Sequence, residues 1–205
     1  MEARLLAFLG IAVILTVTPG PDFALVTRVA LGRGRVAAWL TSLGIVSGHL
    51  LWGIASSIGV TALLKASPTL YTVLRLLGAA YLIWLGIQSF LSRSAGQEKK
   101  MGPLLTHNFA AYRQGLINDL LNPKIGVFYM TMLPQFIGPG QSIFLFSLML
   151  AAIFALIVAI WLAICVVLLA RIGEVIRRPA VRRMIERLCG VVLIGLGIHL
   201  ALERS

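Results

Sequence analysis

Hydrophobic and polar positions alternate on a long wavelength in this 205-residue chain. Runs of about twenty mostly apolar residues, the length that crosses a bilayer core, recur six times between shorter polar or basic stretches. They cover residues 5–31, 36–64, 70–91, 112–137, 143–170 and 184–202. Each is apolar around most of its circumference, so periodicity says little and length decides the assignment. The sixth is the weakest, because its charge-free stretch is only residues 188–202. Arg4 and the apolar run after it have the outline of a signal peptide. Thr18-Pro19-Gly20-Pro21 stands where a small-x-small cleavage site would be, which favours a retained first helix.

The longest polar stretch begins at Ser92 and contains Gly96, Gln97, Glu98, Lys99 and Lys100. It predicts a linker over residues 92–111. Three helices lie on each side, so the second group enters the membrane from the opposite face, as in the inverted repeats of secondary transporters. The expected fold is an all-α integral membrane protein with six transmembrane helices. It forms one transporter domain over residues 1–205, built as two inverted three-helix repeats (1–91 and 112–205) with broken first helices.

Charge orients these spans. Thirteen of the 18 Lys and Arg residues fall in the stretches following helices one, three and five. The positive-inside rule then places the basic loops 32–35, 92–113 and 171–187 in the cytoplasm and, with six spans, both termini outside. The net charge of +11 does not point to nucleic acid, because no soluble basic module carries it. The cluster Arg177–Arg187 sets topology and can touch anionic lipid. Composition agrees with a membrane solvent: 59% of residues are hydrophobic and 12% charged, against about 25% charged in soluble domains.

Two spans contain chemistry that packing alone does not require. In the first, Thr18-Pro19-Gly20-Pro21-Asp22 places two prolines two residues apart. Neither has an N–H, so the carbonyls four residues back, Leu15 and Val17, lose their helical donors. In the fourth, Asn118-Asp119-Leu120-Leu121-Asn122-Pro123-Lys124 removes the donor to the Asp119 carbonyl, and a second interruption follows at Pro134. Such backbone survives at membrane depth only inside protein or along a wet cavity. Each break carries a charge, Asp22 in one half and Lys124 in the other. A charge at mid-bilayer costs about 2.5–3.5 kcal/mol on insertion scales, and a mutual pair or a polar passenger would offset it. Broken helices at corresponding positions of two halves point to a transport site. The expected substrate-binding residues are Thr18, Pro19, Gly20, Pro21, Asp22, Asn118, Asn122, Pro123 and Lys124.

Asp22, Asp119 and His49 are the candidates for proton coupling. His49 follows Gly44-x-x-x-Gly48, a spacing that permits close helix approach, within one subunit or between two in a homodimer. Trp161 and the other tryptophans read as interface or packing residues. Alternatives to a solute exporter fare worse. Metal export needs several ligands facing one cavity, and only His49, Asp22 and Asp119 offer themselves, so no metal site is assigned. An intramembrane enzyme needs clustered acids, a nucleophile–base set or paired cysteines, whereas Cys165 and Cys189 are isolated. No P-loop provides for ATP.

Thr18-Pro19-Gly20-Pro21-Asp22, Gly32-Arg33-Gly34, Gly44-Ile45-Val46-Ser47-Gly48, Gln114-Gly115-Leu116, Asn122-Pro123-Lys124 and Leu133-Pro134-Gln135-Phe136 occur in an order and spacing that resembles the LysE/RhtB family of bacterial amino-acid exporters. The likeness covers nearly the whole chain. It implies a six-helix protein of the bacterial inner membrane that exports amino acids or close derivatives, without a cofactor, on the proton gradient. The signature positions are Thr18 to Asp22 and Asn122 to Lys124. An acid at Asp22, where the family pattern often has Asn, is a departure or a subgroup feature.

Overall fold

The first apolar run divides where its prolines require. A computed structural model describes residues 2–18, 20–91, 108–138 and 140–177, together with helical positions scattered through 184–202. Helix α1 covers Glu2–Val17 and α2 covers Pro21–Arg33, and their axes bend by 45° at the break. Pro21 stands at the start of α2, where its missing N–H costs nothing. Extended Gly20 caps the helix and accepts a bond from the Ala24 amide at 3.0 Å. Pro19 lies outside the described residues.

Helix α3, Arg35–Ala66, and α4, Pro68–Leu91, follow the second and third runs. The fourth run becomes a chain of short helices. Helix α5, Asn108–Leu120, starts one turn ahead of the expected Tyr112, and α6, Pro123–Val127, follows the Asn122 break. A π-helical turn, Phe128–Met132, and a 3-10 turn, Leu133–Phe136, complete it. The wide turn was not foreseen, and its cause is Pro134. With no amide there, the Leu133 N–H reaches back five residues to the Phe128 carbonyl. The Gln135 side chain meanwhile donates to the Thr131 carbonyl at 2.8 Å. Helix α7, Ile143–Arg177, runs past the expected end of the fifth span.

Three described helices are long and apolar enough to cross a membrane, within Arg35–Ala62, Thr69–Gln88 and Ile143–Leu168, and a fourth span results if the bent α1–α2 pair is one crossing. Their outward faces carry large apolar side chains such as Leu43, Leu77 and Leu156, which suits a lipid surround. This is an all-helical membrane protein. At position 197 the last apolar run approaches α4, near Ala79 and Ile83.

The interior has two kinds of contact. Phe8, Phe128 and Phe154 are fully buried in an aromatic cluster that joins α1, the π-turn and α7, with Phe154 edge-to-face on both other rings. Helices α3 and α5 instead meet backbone to backbone. A methyl group on Gly44 would collide with the Tyr112 carbonyl, and one on Gly115 with the Thr41 carbonyl. The Gly44/Gly48 face, open in sequence to either role, is therefore occupied by α5 of the same chain.

Gly115→Ala should accordingly overpack a backbone contact, at a cost of about 1–3 kcal/mol. The expected result is a Tm in detergent several degrees below that of Gly59→Ala, whose added methyl meets nothing within 4 Å. Equal melting of the two variants would contradict so close an approach of α3 and α5.

Candidate functional site

The two breaks face each other. Asp22, in the first turn of α2, accepts one bond from the Asn118 amide at 2.7 Å and another from the Asn122 amide at 2.9 Å. Asn118 comes from the last turn of α5, and Asn122 caps α6. Its own oxygen accepts the Lys124 backbone N–H at 3.2 Å, so one side chain closes α6 and clamps the acid of the other half. Asp22 at a helix N-terminus also has the favourable sign for the helix dipole.

Lys124 crosses in the opposite direction. Its ammonium donates to the Leu15 carbonyl at 3.2 Å. That oxygen is one whose helical donor would have been the missing Pro19 N–H. A Cβ on Gly20 would stand 3.3 Å from the same Nζ, so the glycine leaves room for the lysine. At the other break, the Asp119 carbonyl deprived by Pro123 accepts the Asn122 backbone N–H at 3.0 Å and the Trp52 indole N–H at 3.4 Å.

Thr18, Gly20, Asp22, His49, Lys124 and Trp161 contribute to one crevice with apolar walls. Its volume is about 30 Å³, room for about two waters and too little for an amino acid. The Thr18 hydroxyl turns back onto the Ile14 carbonyl. Pro21 and Pro123 are exposed and each begins a helix; they shape the breaks without facing the crevice.

From the crevice wall His49 reaches a second acid. His49 and Asp119 are 2% and 0% exposed, with Nε2 3.2 Å from Oδ1. The angle is not that of a hydrogen bond, and neither carboxylate oxygen has another partner among the described residues. His49 Nδ1 lies 3.3 Å from the Tyr129 hydroxyl, while Ser56 donates to the Tyr129 carbonyl. Asp119 fits because Gly48 has no side chain: a Cβ there would overlap the carboxylate.

Of the sequence candidates, the structure thus gathers Thr18, Gly20, Asp22, Asn118, Asn122 and Lys124 at the breaks, with His49 and Asp119 next to them. Sequence reasoning missed the contributions of Tyr129, Trp52 and Trp161. The stripe Phe154, Val158, Trp161 and Leu162 follows helical spacing along one side of the crevice. In a helix apolar all round, such spacing does not stand out.

Two discontinuous helices that exchange polar contacts inside a membrane protein define a solute-translocator class of site. Residues 13–204 match the family described as LysE type translocator. A membrane protein of Bacillus subtilis, YrhP, whose function is uncharacterised, is 30% identical over 97% of this chain and 99% of its own. The threonine efflux protein of Escherichia coli K12 is 28% identical over 98% and 100%. The leucine efflux protein of Klebsiella pneumoniae is 31% identical over 72% of each. No solved structure gives a significant match. The chain belongs to the LysE family, and is a multi-pass membrane translocator rather than an enzyme.

Asn122 makes two bonds that Asn118 does not share: the helix cap and the second oxygen of Asp22. Asn122→Ala should therefore cost about 2 kcal/mol, read as a larger drop in Tm in detergent than for Asn118→Ala. A greater loss in Asn118→Ala would show that the clamp is centred elsewhere.

Proposed function

We propose that this chain is a secondary exporter of amino acids or closely related small zwitterions, driven by proton entry across a bacterial inner membrane. The supporting observation is the pair of opposite charges, Asp22 and Lys124, brought from two broken helices to one crevice. The relatives named for threonine and leucine efflux support the same substrate class.

Each charge has an internal stand-in for part of the passenger. The Asn118 and Asn122 amides occupy Asp22 where an α-ammonium would bind, and the Leu15 carbonyl occupies Lys124 where a carboxylate would bind. The passenger's charged groups take over these contacts, and charge-assisted bonds are stronger than those to amides and carbonyls. The narrow crevice must widen for this to happen. In the proposed cycle one three-helix group (1–91) rocks against the other (112–205), connected by the linker 92–111, with the basic loops in the cytoplasm and six spans in all.

Protons are assigned to Asp119 and His49, with Asp22 as the acid that the passenger and proton contest. Asp119 is adjacent in sequence to Asn118 and one turn from Asn122. A change of charge there acts on the residues that hold Asp22. No resident cofactor is needed in this scheme.

Counterflow of radiolabelled amino acids in proteoliposomes with an imposed pH gradient tests the scheme. Acid on the face opposite the cytoplasmic loops should accelerate export. Lys124→Ala and Asp22→Ala should abolish it while still inserting, and wild-type rates in both would refute the charged-site mechanism. Asp119→Asn should flatten the pH dependence more than it weakens binding. An unchanged pH profile would remove Asp119 from the proton path.

A further inference from the structure

The two arms of the first break are anchored differently. Helix α2 packs against α3, α5 and α7, and its Asp22 is held by two amides of the second half. Helix α1 rests mainly on α7 and the 3-10 turn. Its buried side chains form a single stripe, Phe8, Ala12 and Leu15, while Leu6, Val13 and Ile14 are exposed. Three contacts fasten α1 to the second half. Lys124 Nζ donates to the Leu15 carbonyl at 3.2 Å. The Phe8 ring meets Phe128, Phe136 and Phe154, the last of which also lines the crevice. Arg4 Nη1 donates to the Ile137 carbonyl at 2.8 Å. Helix α1 therefore runs from the crevice at Leu15 to Arg4, about 16 Å along its axis, and its rings close the crevice at that end.

We propose that α1 is a lid on the crevice, swinging at the break before α2 and latched by Lys124, and that a carboxylate on the Lys124 ammonium releases it. A carboxylate attracts the ammonium more strongly than a neutral carbonyl does, so the passenger that draws Nζ away also unfastens α1. What then remains is an apolar seam and one exposed hydrogen bond. An apolar seam resists parting weakly in a bilayer, because lipid tails replace the lost contacts. Moving α1 parts Phe8 from Phe154 and opens the crevice toward the face opposite Arg33, the basic end of α2. This is a movement of one helix within the first group, finer than the rocking of whole groups. The release step rests on the exporter reading above; the tether does not.

Spin labels at the exposed Leu6 and Leu145 report the separation of α1 from α7, and a second pair at the exposed Ile58 and Leu145 reports α3 against α7. The background carries Cys165→Ala and Cys189→Ala. The first pair should show one main distance, and a full panel of amino acids in excess should add a longer one. Lys124→Met keeps the length of the side chain and removes its donor. It should populate the longer distance without any amino acid, raising the open-to-closed ratio about tenfold. Arg4→Ala, at the exposed end and away from the breaks, should raise it about threefold. The second pair should stay unchanged throughout. Unaltered distances in Lys124→Met would overturn the tether. If that variant does not fold, unaltered distances in Arg4→Ala would overturn the lid. Equal lengthening of both pairs would replace a separate lid by rocking groups. A longer distance in Lys124→Met, with none on adding the amino-acid panel, would leave the lid standing and overturn the amino-acid reading.

Discussion

A carbonyl oxygen deprived of its donor inside lipid has no water to turn to, and this constraint organises the centre of the molecule. Pro19 deprives Leu15 and Pro123 deprives Asp119. The protein answers each from elsewhere. Lys124 of the second half reaches the Leu15 carbonyl, while the Asn122 backbone N–H and the Trp52 indole reach that of Asp119. Gln135 serves the Thr131 carbonyl where the backbone has widened into a π-turn. The breaks are therefore stitched sites, and the stitch at Leu15 joins one half of the chain to the other.

The same arrangement explains how charges can be housed within a span. An unpaired ion in the span would cost several kcal/mol, enough to threaten a fold of ordinary stability. Here Asp22 has two amide donors and Lys124 has a carbonyl acceptor. A passenger consequently gains only the difference between its own contacts and these internal ones. Such a difference favours moderate affinity and ready release, which suits an exporter better than tight capture would.

Much of this centre was legible from residue chemistry. The absence of an N–H in proline identifies Leu15, Val17 and Asp119 as needy carbonyls, and the cost of an intramembrane charge marks Asp22 and Lys124. What could not be read was which donor serves which oxygen. The side-chain amides of Asn118 and Asn122 take both oxygens of Asp22, which spacing alone does not announce. The π-turn was hidden for a related reason: Pro134 announces a lost bond but not whether the backbone will tighten or widen around it. The roles of Trp161 and Phe154 were masked because α7 is apolar on every side, so a crevice-lining stripe has no polar complement to reveal it. Helices can be counted from hydropathy, but their facing surfaces depend on partners distant in sequence.

Glycine spacing connects the crevice to the His49–Asp119 pair. Gly44 and Gly115 let α3 and α5 approach at backbone distance, and Gly48 leaves the volume that the Asp119 carboxylate fills. That approach brings His49 of α3 to Asp119 of α5. The end of α5 then carries two functions within five residues: Asn118 and Asn122 hold Asp22, and Asp119 between them meets His49. A helix end cannot move Asn118 without moving Asp119. Any displacement that opens the crevice by withdrawing the clamp must also disturb the His49–Asp119 contact, and a charge added to that contact must bear on the clamp. In the proposed cycle the coupling between a proton and a passenger needs no long pathway, because both are assigned to the same turn of backbone.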